Sequence, residues 1–209
     1  ARTVPKEILP IVDKPAISYL VDEAISSGVT DILIITNRGK YAIEDYFDYS
    51  PEYEESLRKK GKDDIIDSLR SAANRANIYF IRQKEARGLG DAVLRAKNFI
   101  GNEPFYVLYG DDIIMSEKPV CLQLAEAYDK YNLAVAGVKE VTAEQILKYS
   151  SLDAKPLPGE SNFYHVTDMI EKPKPEQVIT RLSILGRVLL TPDIFDILSA
   201  TKPGAGGEI

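Results

Sequence analysis

Asp31-Ile32-Leu33-Ile34-Ile35-Thr36 constrains the fold more than any other stretch of the 209 residues. Four consecutive aliphatic residues, three of them β-branched and with no polar alternation, describe a strand covered on both faces, the mark of a parallel strand under helices. The flanks agree. Pro15 opens a helical pattern in which Ile17, Leu20, Val21, Ala24 and Ile25 share a face, and Gly28 ends it. Further strands are expected over 77–82, 104–109, 133–138, 163–170 and 183–190, with helices over 41–47, 90–99 and 121–131 and a charged helical excursion from 52 to 74. Thr142-Ala143-Glu144-Gln145 has the form of a capping box, and residues 156–159 of a turn inside an irregular insertion. Thr191-Pro192-Asp193 reads as an N-cap with proline behind it. Strand alternating with helix implies βαβ units. The expected fold is a Rossmann-like three-layer α/β/α sandwich with a mixed, mostly parallel sheet.

A 44% hydrophobic content at this length suffices for one core, so a single domain spanning 1–209 is expected. The net charge of −6 argues against a nucleic-acid surface, and no apolar run reaches the roughly 20 residues of a membrane span. Cytoplasmic location and small-molecule partners follow as expectations. One cysteine, Cys121, and one histidine, His165, leave no Cys/His cluster for zinc, so any metal should be oxygen-bound.

Four stretches carry chemistry. In Val4-Pro5-Lys6-Glu7-Ile8-Leu9-Pro10 two prolines are expected to stiffen an extended loop and so aim the Lys6 charge. In Leu108-Tyr109-Gly110-Asp111-Asp112 a carboxylate follows a strand, where open α/β sheets bind ligands. Asp111 there suits a Mg²⁺-phosphate complex, although Gly-Asp-Asp is also ordinary turn chemistry. In Ile170-Glu171-Lys172-Pro173 the proline ends a strand, so that Glu171 and Lys172 can bracket one ligand, a carboxylate for hydroxyls and an ammonium for a phosphate. An exposed charged strand end is the alternative. A fourth stretch, Gln83 to Val93, offers an amide donor and acceptor at Gln83 and a bare backbone at Gly88, while Gly88-Leu89-Gly90 lacks the third glycine of a dinucleotide fingerprint. Gly137 either admits a sugar or relieves crowding between strands.

Taken together and in order, the motifs of Lys6, Asp111 and Glu171-Lys172-Pro173 resemble those of the sugar-nucleotidyltransferases, most closely the bacterial UTP:glucose-1-phosphate uridylyltransferases. The resemblance implies transfer of a uridylyl group from UTP to glucose 1-phosphate, giving UDP-glucose and pyrophosphate, with Mg²⁺ as cofactor. It implies Lys6, Asp111 and Lys172 as catalytic residues, Asp111 as metal ligand, Glu7, Gln83 and Gly88 beside the uracil, and Glu171, Lys172 and Gly137 around the sugar phosphate. A homo-oligomer, dimer or tetramer, goes with it. Other readings stay open: a thymidylyl-, cytidylyl- or adenylyltransferase on another sugar 1-phosphate, or a non-catalytic sugar-nucleotide binding protein.

Three features depart from the family pattern. Its glycine-rich loop and first strand would lie before Val4, and Arg2 is not equated with that loop's arginine. An aspartate expected after Gly207-Glu208-Ile209 would fall past residue 209. Tyr149-Ser150 stands where the family commonly has Tyr-Gly.

Overall fold

A computed structural model describes residues 4–204 and 207–209, so Arg2 lies outside the described residues. The chain opens with a 3-10 turn, Lys6–Ile8, then a two-residue hairpin, β1 (Pro10–Ile11) and β2 (Lys14–Pro15), and helix α1 (Ala16–Ser26). The stiff extended loop expected at Lys6 is instead this tight turn, closed by Ile8 and Leu9 amides on the carbonyls of Pro5 and Lys6. Strand β3 (Asp31–Thr36), helices α2 (Tyr41–Phe47), α3 (Pro51–Lys59) and α4 (Asp63–Arg75), and strand β4 (Asn77–Arg82) follow. Then come α5 (Leu89–Arg95), α6 (Lys97–Ile100), β5 (Phe105–Leu108), α7 (Val120–Tyr131), β6 (Val135–Glu140), β7 (Ser150–Pro156), β8 (Tyr164–Glu171), β9 (Leu182–Leu190) and α8 (Ile194–Ala200).

The sheet is mixed. β3 and β4 pair in parallel, Asp31 opposite Asn77 through Thr36 opposite Arg82. β9 runs back between β5 and β6 and pairs antiparallel with both, so β5 and β6 point the same way. Alternation along β5 sends Phe105 and Val107 to one face, where they pack with Val93 of α5 and Phe195 of α8. Tyr106 and Leu189 face the other side, against Val120 and Leu124 of α7. Helices therefore cover both faces, the three-layer arrangement expected.

Among the described residues β3 pairs only with β4 and β5 only with β9. Their facing edges border a largely apolar cavity of about 540 Å³, lined by Ile32, Ile34, Val107, Val21 and Val93 and also by Glu7, Lys40, Gly110 and Asp111.

The expected irregular insertion contains a strand: β7 forms a hairpin with β8, bulged between Asp153 and Ala154. Ser150 and Ser151 are buried in it, and the hydroxyl of Ser151 accepts from the amides of Ile179 and Thr180 and donates to the Thr180 carbonyl. The capping box forms, with the Thr142 amide on Gln145 Oε1 at 3.0 Å and the Gln145 amide on Thr142 Oγ1 at 3.2 Å. α8 begins with no side-chain cap, since the Thr191 hydroxyl donates to the Asp193 carboxylate rather than bonding the backbone.

A buried ion pair ties the layers together. Arg187 of β9 is 1% exposed and donates Nε and Nη2 to Glu23 of α1 at 3.0 and 2.9 Å. The other Glu23 oxygen accepts the amide of Cys121 on α7 at 3.3 Å. Cys121 is wholly enclosed, and burial pushes its thiol up to about 12, consistent with packing rather than reactivity.

Candidate active site

The turn after β5 is clamped from below. Asp112 accepts the Gly186 amide on Oδ2 at 2.9 Å, and the Tyr109 amide donates to the Gly186 carbonyl at 2.9 Å. A Cβ on Gly186 would meet Asp112 Oδ2 at 2.6 Å and Tyr109 Cβ at 2.7 Å, so only glycine lets β9 approach this closely. Asp112 thus fixes the turn, and Asp111 is left projecting outward, 55% exposed.

Lys6 meets Asp111 there: its Nζ donates to Oδ2 at 2.5 Å. The hydrogen bond to Asp111 raises the Lys6 pKa, so the group is an ammonium throughout the neutral range. Both partners are more than half exposed, and such a pair contributes little, about 0–1 kcal/mol. Arriving ligands can separate the two at small cost. Glu7, next in sequence, points inward beneath Gly110, where a Cβ would meet its Cγ at 3.2 Å. Its Oε1 accepts Lys40 Nζ at 2.6 Å, and its Oε2 is buried with no partner among the described residues. Lys40 escaped the sequence reading because nothing in Asn37-Arg38-Gly39-Lys40 departs from turn chemistry.

β8 ends at Glu171, and Lys172 takes φ +47°, a left-handed conformation unfavourable for a side chain with a Cβ. Its amide donates to the Tyr149 carbonyl at 2.7 Å. The reversal leaves Glu171 and Lys172 exposed side by side at the strand end, as expected, ahead of a buried Pro173. Burial first, and then the charges of Glu171 and Asp112, push the phenol of Tyr109, two residues before Asp111, up. Lys172 makes no ion pair among the described residues.

Gln83 follows β4, its amide on the Thr36 carbonyl at 2.8 Å, at the carboxyl ends of the parallel pair. Its side chain meets Asp91 and the Gly88 carbonyl. Gly88 has φ +94° and ψ 178°, and a Cβ there would lie 2.5 Å from the Ile209 carbonyl oxygen. What approaches this glycine is the backbone of residues 208–209, held by the Gly90 amide on the Ile209 carbonyl at 2.7 Å and the Ile209 amide on the Arg87 carbonyl at 2.8 Å. Gly137 sits in a bulge of β6, with the Arg187 carbonyl oxygen 3.4 Å and Val120 Cγ1 3.5 Å from where a Cβ would stand. Those are ordinary van der Waals distances, so packing alone does not demand a glycine there.

The nucleotidyl transferase family matches residues 1–208. The UTP–glucose-1-phosphate uridylyltransferase of Bacillus subtilis (strain 168) is 48% identical over 208 residues, all of this chain and 70% of that one. The chain belongs to the nucleotidyl transferase family. Among solved structures, apo UDP-glucose pyrophosphorylase superposes with a TM-score of 0.91 at 41% identity, covering all of this chain and 76% of that one. UDP-glucose pyrophosphorylase complexed with UDP-glucose gives 0.88 at 40% identity over the same shares. The resemblance drawn from the motifs is borne out, as is the fold class. Among the described residues no helix is long and apolar enough to cross a membrane.

Proposed function

We propose that this chain transfers a uridylyl group from UTP to glucose 1-phosphate. A phosphate oxygen of the sugar phosphate attacks the α-phosphorus of UTP, the bond to the bridging oxygen breaks, and pyrophosphate leaves with the electron pair. No covalent enzyme intermediate is needed, and the protein's task is to position two anions and neutralise developing charge. The observation that carries the reading is the Lys6–Asp111 contact between residues 105 positions apart, at the carboxyl end of β5.

Lys6 holds the nucleotide phosphates as the bond breaks. Lys172, with no ion pair of its own, receives the phosphate of glucose 1-phosphate, and Glu171 accepts its hydroxyls. Gln83 faces the uracil with Gly88 at the edge of the same loop, and Glu7, whose buried Oε2 has no hydrogen-bond partner among the described residues, lies beside the nucleotide. Asp111 fits a divalent cation such as Mg²⁺: it is half exposed, and its Oδ1 accepts no hydrogen bond among the described residues. Mg²⁺ keeps several waters and needs only one or two carboxylates beside substrate phosphates. When bound, such an ion neutralises phosphate charge in the transition state. Assembly as a homo-oligomer and cytoplasmic location belong to the same proposal.

Pyrophosphate release measured with each of UTP, dTTP, CTP and ATP, glucose 1-phosphate as acceptor, tests the reading. UTP should be preferred; preference for another nucleotide makes this a different nucleotidyltransferase, and binding of UDP-glucose without turnover makes it a binding protein.

A further inference from the structure

An amide side chain can show a ligand either its donor or its acceptor, depending on which way it is turned. For Gln83 the choice is already made. Its Nε2 donates to Asp91 Oδ2 at 2.7 Å and to the Gly88 carbonyl at 3.1 Å. Both partners are acceptors only, so the NH₂ must face them and both its hydrogens are used. Oε1 is left to face outward, and among the described residues nothing donates to it.

Asp91 is held just as firmly. It is 4% exposed, and Arg95, one helical turn on, donates Nη2 to Oδ1 at 2.5 Å. The Arg95 guanidinium, with Gln83 second, holds the Asp91 carboxyl below the usual carboxylate range, so it remains an obligate acceptor at neutral pH.

We infer that Asp91 sets the base preference of this chain by locking the Gln83 amide with its oxygen outward, which selects a pyrimidine carrying a ring N–H and rejects one presenting a ring lone pair. This rests on the proposal that Gln83 meets the base. Uracil offers N3–H to the oxygen; cytosine would oppose it with the N3 lone pair, leaving two acceptors facing each other unsatisfied. Thymine carries the same N3–H, so the lock separates UTP from CTP and not from dTTP. Asp91 touches no substrate in this scheme and is a positioning residue.

The test is kcat/KM for UTP and for CTP with the wild type, Gln83→Ala and Asp91→Asn. Asparagine keeps the shape but can donate as well as accept, so the glutamine amide is freed to turn. Asp91→Asn should lower the UTP-to-CTP ratio by on the order of tenfold, chiefly through KM, with the KM for glucose 1-phosphate unmoved. A purely structural role would depress both nucleotides equally and leave the ratio alone, which overturns the inference. If Gln83→Ala lowers the ratio and Asp91→Asn does not, the lock is wrong and the base contact stands. If Gln83→Ala leaves the ratio unchanged, the base contact itself is wrong. Arg95 is 46% exposed and remains solvated without its partner; should Asp91→Asn still fail to fold, Asp91→Asn with Arg95→Gln gives the same readout.

Discussion

The loop after β4 and the strand end after β8 both carry candidate substrate contacts, yet they are held in opposite ways. Around Gln83 the polar groups bond one another: amide to carboxylate, carboxylate to guanidinium, and two backbone hydrogen bonds joining Ile209 to Arg87 and Gly90. At Glu171-Lys172 the side chains are exposed, and position comes from the backbone, through a left-handed φ and one hydrogen bond to Tyr149. The first arrangement presents one fixed polarity and suits discrimination between bases. The second leaves a whole charge free, which suits capture of a phosphate, where strength matters more than shape.

The largest effects should come from the charged groups. Asp111→Ala is expected to abolish Mg²⁺-stimulated turnover, and Lys172→Ala to lower kcat/KM about a hundredfold, roughly 3 kcal/mol, as read by pyrophosphate release. Full activity in either variant would show that the charge works elsewhere. Arg187→Ala should cost about 3–5 kcal/mol of stability in urea titration, because it removes the guanidinium that pairs with buried Glu23. Gly88→Ala should cost about 1–3 kcal/mol, since φ +94° strains any Cβ and the Ile209 carbonyl occupies its place. The contrast sharpens at residue 172: Lys172→Gly should be as inactive as Lys172→Ala but roughly 1 kcal/mol more stable, glycine being at ease at φ +47°. The smallest effect is on pH. The folded-state pKa of Asp91 is depressed, so its stabilisation is present above its unfolded value, about 4, and is lost as pH falls through the folded one. Acid titration of Asp91→Asn should therefore show a shallower loss of stability below about pH 4 than the wild type.

Much of this was legible in the residues. β3, β4 and α2 occupy the expected residues, because an apolar run bounded by turn signals defines its own ends. β7 was hidden, since Ser150, Ser151 and Asp153 do not look like a buried strand until hydroxyls and amides some 30 residues away satisfy the serines. For the candidate site, Lys6, Asp111, Glu171 and Lys172 were singled out as charges in a proline-flanked loop or at expected strand ends, within motifs resembling those of the family. Lys40 and Asp91 follow glycines, Gly39 and Gly90, but in stretches that read as an ordinary turn and the start of a helix; beyond that the trace of Asp91 was an Asp–Arg pair at i, i+4.

The amino-acid sequence by itself determined most of the strands and helices, β3, β4 and α2 to the residue, and which charged groups stand at their ends, because periodicity and chain breakers act over a few residues. Tertiary structure alone decided that β9 returns between β5 and β6, that Asp112 turns down onto Gly186 while Asp111 turns outward, and that the Gln83 amide shows its oxygen. Those choices depend on partners tens of residues away, whose hydrogen bonds exist only once the sheet has closed around them.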